Sequence, residues 1–261
     1  MSKLQERAVA LLSEGAVKLV IGYEQGTKKP RPLLCTTADD AAKLIFNDDC
    51  RNNLAVYLTK KEIIGEEKYA VIATYKVLQS IVQLNKENQI NKDQIVALTV
   101  DKDGEVIEFA DFDAISQYLA DNVPIPDPKV LALLDKIDKM SREERWAYWK
   151  SELSKCIRCY ACRAACPLCY CNRCITEVNC PQWLDPWQAP LSNMEWQINR
   201  VMHMSGRCVG CGACVDACPI DLPIGLLTKR LALDIKQTFG DNPDGNVLST
   251  FNPSDKENFI H

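Results

Sequence analysis

The tightest constraint on this chain is one spacing used twice, Cys-x2-Cys-x2-Cys-x3-Cys-Pro. It occurs in "CIRCYACRAACP" (Cys156 to Pro167) and again in "CVGCGACVDACP" (Cys208 to Pro219), 52 residues further on. A two-residue spacer lets the backbone curl so that three successive thiols face one centre, while the fourth Cys is left to reach elsewhere. The proline behind it cannot continue a helix and turns the chain away. The chain holds 14 cysteines, and all but Cys35 and Cys50 lie between Cys156 and Cys218. Those two isolated residues read as buried apolar thiols. A disulfide framework normally belongs to a short exported chain. This one has 261 residues, and its first residues, "MSKLQERAVALLSEG", read as an amphipathic helix and not as an export signal. Clustered thiols in that setting point to metal ligation.

Two intact runs, both ending in proline, resemble the two-[4Fe–4S] bacterial ferredoxins. That resemblance implies two [4Fe–4S] clusters with crossed ligation, the fourth Cys of each run serving the other cluster. Cys156, Cys159, Cys162 and Cys218 would hold the first, and Cys208, Cys211, Cys214 and Cys166 the second. Crossing holds the clusters close enough for single-electron hopping. Gly210 and Gly212 would leave backbone N–H groups free to approach sulfur, one of the levers on potential. Zinc sites are usually built from paired Cys-x2-Cys arms, which these runs are not. The chain departs from the simple ferredoxin pattern in a long insertion, residues 167–207. It carries Cys169, Cys171, Cys174 and Cys180, a candidate third metal site for another cluster or zinc, or else a set of buried thiols. Trp183, Trp187 and Trp196 are expected to cover the clusters and exclude water.

The rest of the chain reads as α+β. An N-terminal α/β docking domain (1–125) precedes a helical linker (126–155), a ferredoxin-like dicluster domain (156–240) and a C-terminal docking tail (241–261) in which Phe251, Phe259 and Ile260 stand out. In the first domain the runs at 17–26, 31–37, 53–59, 68–74, 93–101 and 103–110 read as strands or short apolar segments. The spacing at 38–46 and 76–88 predicts helices. "VPIPDP" (Val123 to Pro128) marks the break. Helices are expected over 129–140 and 141–155, the second opened by a Ser141/Glu144 capping box, and a closing helix over 223–240. His203 and His261 are the only histidines. Packing, or a hydrogen bond to cluster sulfur, is the expected role of His203.

More widely, the cysteine core joined to this α/β domain, with "MHMSGRCVGCGACVDACPIDLP" and the tail "LSTFNPSDKENFI", resembles iron–sulfur subunits of heterodisulfide-reductase-like, hydrogenase and formate dehydrogenase complexes of anaerobes. The N-terminal part is distantly similar to the beta subunits of coenzyme F420-reducing hydrogenases. These resemblances imply an electron-transfer subunit of a multisubunit oxidoreductase. It would relay single electrons between a catalytic dehydrogenase or hydrogenase and a flavoprotein or ferredoxin partner. Because the F420 relatives bind flavin, a flavin-containing subunit that reduces a deazaflavin or nicotinamide is the alternative, and a zinc-stabilised assembly protein is the third. Those relatives carry a Lys-Gly-Cys-Asp-type turn where this chain has "ATYK" (Ala73 to Lys76). No Gly-x-Gly-x-x-Gly or Walker A loop occurs either, so flavin is not expected. A net charge of −4 argues against a nucleic-acid surface. No apolar run reaches spanning length, which makes a cytoplasmic location the expectation. Nothing resembles a Ser-His-Asp set or a paired-carboxylate site, so no catalytic residue is assigned.

Overall fold

A computed structural model describes residues 1–174, 176, 181, 184–185 and 187–240. Cys180, Trp183 and the tail from residue 241 lie outside the described residues. The fold is mixed α/β, and it divides into two compact units, one spanning Met1–Val123 and the other beginning at Pro124.

The first unit opens with helix α1 (Lys3–Ser13), the amphipathic N-terminal segment, which buries Leu4, Ala8 and Leu11. Ser2 and Gln5 close a capping box at its start. Strand β1 (Leu19–Glu24) and strand β2 (Arg31–Cys35) then pair antiparallel, with Val20 opposite Cys35. After the short helices α2 (Ala38–Ala41) and α3 (Lys61–Ile64) come β3 (Tyr69–Ile72), α4 (Tyr75–Lys86), β4 (Ile95–Val100), β5 (Val106–Glu108) and α5 (Phe112–Asp121). The five strands run in the order β2-β1-β3-β4-β5. The inner three, β1, β3 and β4, are parallel and the two edges antiparallel. β3 is buried along its whole length and β1 along all but its last residue. That explains why both read as continuous apolar runs without alternation.

Three local differences from the sequence expectation have identifiable causes. The run 53–59 forms a 3-10 turn, Leu54–Tyr57, and no strand. Buried Asn53 accepts from the Ala55 N–H (3.1 Å) and donates to Ser80 Oγ (2.8 Å), so the chain curls before β-branched residues can extend it. The helix expected over 38–46 stops after one turn, because the Ile45 N–H donates to the Tyr23 carbonyl of β1 (2.8 Å). α5 was unassigned from sequence; Asp111, accepting from the Ala114 N–H (2.8 Å), is the cap that marks it.

The isolated thiols are where the sequence puts them. Cys35 and Cys50 are both buried. Burial, reinforced by the Asp40 and Glu24 carboxylates, pushes the Cys35 thiol up to about 12, so it packs as a neutral apolar group.

The second unit is helical: α6 (Pro128–Asp138), α7 (Arg142–Ser154), α8 (Ala161–Ala164), α9 (Pro190–His203), α10 (Ala213–Asp216) and α11 (Ile224–Phe239). The Ser141/Glu144 box is present at α7. Leu153, Val201 and Ile224 bring α7, α9 and α11 together, with Cys214 and Val215 packed against them. Leu134, Ile137 and Leu226 seat α6 on α11. No helix among the described residues is long and apolar enough to cross a membrane.

One position tests the sheet packing directly. A Cβ on Gly22 would lie 2.3 Å from Leu44 Cδ2 and 3.1 Å from Ile72 Cγ1, and both neighbours belong to the close-packed core. Gly22→Ala is expected to destabilise the protein by about 1–3 kcal/mol, the usual cost of overpacking. Thermal or denaturant unfolding followed by circular dichroism reads it; an unchanged midpoint would mean Leu44 moves aside freely.

Candidate metal centre

The two cysteine runs fold into loops that match residue for residue. In the first, Arg158 and Tyr160 adopt left-handed backbone conformations (φ 52° and 60°). In the second, Gly210 and Gly212 occupy the same places (φ 64° and 82°). Each pair of reversals wraps the chain around a centre and leads into a single helical turn, α8 or α10, that carries the third Cys. The Arg158 N–H lies 3.4 Å from Cys156 Sγ, and the Gly210 N–H lies 3.4 Å from Cys208 Sγ. The turns close alike, Cys166 N–H on the Arg163 carbonyl (3.1 Å) and Cys218 N–H on that of Val215 (3.0 Å). The Leu222 N–H then approaches Cys218 Sγ at 3.4 Å. An N–H beside the sulfur of the first Cys is therefore present in both loops, at Arg158 and at Gly210.

The non-glycine reversals of the first loop cost about 1–2 kcal/mol each, so something must hold them. The Arg158 guanidinium is buried and donates to the Asp185 carbonyl (2.8 Å) and to Tyr160 Oη (3.1 Å). Tyr160 in turn packs edge-on against Trp196, ring centres 5.3 Å apart.

Helix α9 supplies the wall. Its polar residues Asn193, Gln197 and Arg200, at helical spacing, are buried, while Leu191, Ile198 and Met202 are exposed. Asn193 Nδ2 donates to the Cys156 carbonyl (2.7 Å) and Gln197 Nε2 approaches Cys156 Sγ (3.4 Å). Arg200 Nη2 donates to the Cys162 carbonyl (2.9 Å). None of these three was picked out from the sequence. The signal was a polar i, i+4, i+7 stripe opposite an apolar one at 191, 198 and 202. Such a stripe does not say which side faces in.

The thiols influence one another across the loops. Burial raises Cys162 to about 11; Arg200 pulls it down, and the charges of Cys214, Cys156 and Cys218 push it up. Burial also takes Cys214 to about 11, with Arg200 opposing and Cys166, Cys211 and Cys208 adding to the rise. Burial raises Cys208, helped by Cys166 and Cys211. Cys156 is buried, Cys159 exposed, and the other motif cysteines lie between.

The insertion is only partly drawn into this assembly. Cys169 shares a hydrogen bond with Cys166, which raises Cys166 and lowers Cys169. The charge of Cys174 acts on Cys169, and Cys174 Sγ lies 3.0 Å from Thr176 Oγ1. Cys171 is exposed, with its carbonyl taken by Arg163 (3.0 Å). Trp196 is buried as expected, but Trp187 is 66% exposed. His203 is exposed on the last turn of α9. The packing role expected of it belongs to Met204, whose Sδ lies 3.9 Å from Cys166 Sγ.

The residues present fit an iron–sulfur group. Among the described residues, the buried side-chain N–H donors without a partner are Arg158 Nε, Trp196 Nε1, Arg200 Nε and Arg200 Nη1, all in this unit. A buried donor without an acceptor costs about 1–3 kcal/mol, and the sulfur of a bound cluster would be an acceptor for donors of this kind. Among the described residues, no three Cys, His, Asp or Glu side chains converge on a point that would hold a single metal ion. A four-iron cage instead spreads its thiolates over its corners.

The comparisons with known proteins point the same way. The signature of a 4Fe-4S binding domain matches residues 202–222, the stretch from the end of α9 through the second loop. Over 89 residues, the chain is 35% identical to the F420-dependent formate dehydrogenase subunit beta of Methanocaldococcus jannaschii. That stretch is 33% of this chain and 23% of the relative, so the chain matches about a quarter of the relative's length. The segment from Met202 to Leu222 is a 4Fe–4S binding domain, and the protein is an iron–sulfur protein.

Proposed function

We propose that this chain is an electron-transfer subunit of a multisubunit oxidoreductase, with two [4Fe–4S] clusters held by crossed ligation. Cys156, Cys159, Cys162 and Cys218 would hold one, and Cys208, Cys211, Cys214 and Cys166 the other. Such clusters take up and release one electron at a time. The observation that carries the reading is the mutual influence of the thiols: Cys162 responds to Cys156 and Cys218, and Cys214 to Cys208, Cys211 and Cys166. The charge of Cys214 also acts on Cys162, which supports two centres close together.

The chain's own residues set the conditions. The loop N–H groups at Arg158, Gly210 and Leu222 approach thiol sulfur. Trp196 and the α7–α9–α11 core shield one side, while exposed Cys159 and Ile157 leave a face through which electrons could pass to a partner. The relative is by its name a subunit of an F420-dependent formate dehydrogenase. By that analogy a formate-oxidising catalytic subunit is the partner on one side, and a flavin or ferredoxin protein is the partner on the other. The first unit would dock one of them.

Iron and acid-labile sulfide on protein purified without oxygen test this first. About eight irons per chain are expected for two clusters. About twelve would add the third site at Cys169, Cys171, Cys174 and Cys180. A value near zero in folded protein overturns the reading: zinc without sulfide would select the assembly protein, and an extractable yellow chromophore the flavin subunit.

The crossed assignment has its own test. Electron paramagnetic resonance of the reduced protein should show Cys156→Ser and Cys218→Ser disturbing the same cluster, and Cys208→Ser and Cys166→Ser the other. Cys218→Ser grouping with Cys208→Ser would break the crossing.

A further inference from the structure

We propose that Gln197 is a positioning residue: its side-chain amide donates to the sulfur of Cys156 and raises the reduction potential of the cluster that Cys156 holds, leaving the other cluster where it is. The inference rests on the two-cluster reading above. Gln197 is 1% exposed on the inner face of α9, and its Nε2 lies 3.4 Å from Cys156 Sγ. One turn earlier on the same face, Asn193 Nδ2 donates to the carbonyl of Cys156 (2.7 Å). The helix thus holds the backbone and the sulfur of one cysteine at once, and movement of the amide away from the sulfur would strain the second bond. The Arg158 N–H approaches the same sulfur from the loop side (3.4 Å). In the second run, Cys208 Sγ takes the equivalent N–H from Gly210 (3.4 Å). The side chain beside it is Thr228 of α11, whose hydroxyl has one proton and donates it to the Gly225 carbonyl (3.0 Å).

A glutamine is hard to justify here on packing grounds. Its Oε1 is buried with no partner within the protein, which costs stability, and an apolar side chain of the same length would avoid that cost. What the amide supplies is an N–H. A ligating cysteine sulfur has lost its proton and can only accept, so the amide must turn its nitrogen to it, and that is the orientation found. Adding an electron to a cluster increases the negative charge on its sulfurs. The N–H on sulfur then binds more strongly in the reduced state than in the oxidised one, and the potential rises. A hydrogen bond acts only at contact distance, so the effect falls on the cluster of which Cys156 is a ligand. Both runs place one loop N–H on the sulfur of their first Cys, and Gln197 adds a second donor to that of the first run. The result is a step in potential between two otherwise similar sites, which gives electron transfer between them a preferred direction.

Two replacements without a donor test this. Gln197→Met keeps the length of the side chain and Gln197→Leu its approximate bulk, and both lack the N–H. Each is purified without oxygen, assayed for iron and sulfide, and titrated potentiometrically with the reduced signals of both clusters followed separately by electron paramagnetic resonance. The signal that Cys156→Ser disturbs identifies the cluster concerned. In both variants its reduced-to-oxidised ratio at a fixed potential should fall about three- to tenfold, the worth of one hydrogen bond. That corresponds to about 28–59 mV more negative for a one-electron couple. The other cluster should keep its wild-type ratio. Unchanged ratios, an equal shift in both clusters, or shifts of opposite sign in the two variants would each overturn the proposal. A second measurement needs no substitution. In wild-type protein with isotopically labelled nitrogen in its glutamine side-chain amides, pulsed resonance of the reduced protein should show coupling to that nitrogen in the signal that Cys156→Ser disturbs. Its absence overturns the proposal. Where neither variant binds iron, this coupling decides, and its presence supports the contact. Wild-type protein without iron would instead overturn the two-cluster reading on which the proposal stands.

Discussion

Bringing thiols from two loops within electrical reach of one another, inside a small helical unit, becomes a repulsive arrangement as they ionise, and the second unit is organised around containing it. Cys162, Cys208 and Cys214 are easier to bury than to ionise: burial holds them above their ordinary values, and neighbouring thiolates push them further. Ligation by iron would remove the protons and share the charge. Until then the protein must supply opposite charge and donors. It does so with loop N–H groups on sulfur and with one buried guanidinium, Arg200, on the Cys162 carbonyl.

This requirement explains a helix that is inside out. A helix of a globular protein normally turns its apolar stripe to the core. α9 turns Asn193, Gln197 and Arg200 inward and leaves Leu191, Ile198 and Met202 in solvent. Its inner face meets a carbonyl, a thiol and another carbonyl of the first loop, groups that apolar side chains would leave unsatisfied. Val201, on the turn that packs against α7 and α11, keeps the helix attached to the apolar core.

Legibility from sequence follows the same division. The cysteine spacing carries its meaning without the fold, because three ligands on one loop are set by local chain geometry. The capping box at Ser141 and the parallel strands β1 and β3 were legible for a similar reason: caps and continuous apolar runs are local signals. The wall of the site was not legible. Asn193, Gln197 and Arg200 are common residues on an exposed helix face, and only the tertiary packing shows them to be buried. The turn at Leu54–Tyr57 was missed for the same reason, since the bond from Asn53 to Ser80 spans 27 residues.

The described residues of the insertion that separates this chain from a simple ferredoxin are tied to the loops. Three arginines fasten its backbone: Arg207 holds the Leu168 carbonyl (3.0 Å), Arg163 that of Cys171 (3.0 Å), and Arg158 that of Asp185 (2.8 Å). Asp185 Oδ2 accepts from Ser192 Oγ (3.1 Å) on the first turn of α9, which links that fastening to the helix carrying Gln197 and Arg200. The second loop reverses at glycines and needs no such support. The first reverses at Arg158 and Tyr160, and these are the residues that grip the insertion and stack toward Trp196. Glycine at those two places would be easier for the backbone but would release the insertion, and with it the helix that sets Arg200 on the Cys162 carbonyl. The strain of the first loop and the polar face of α9 are therefore two ends of one device.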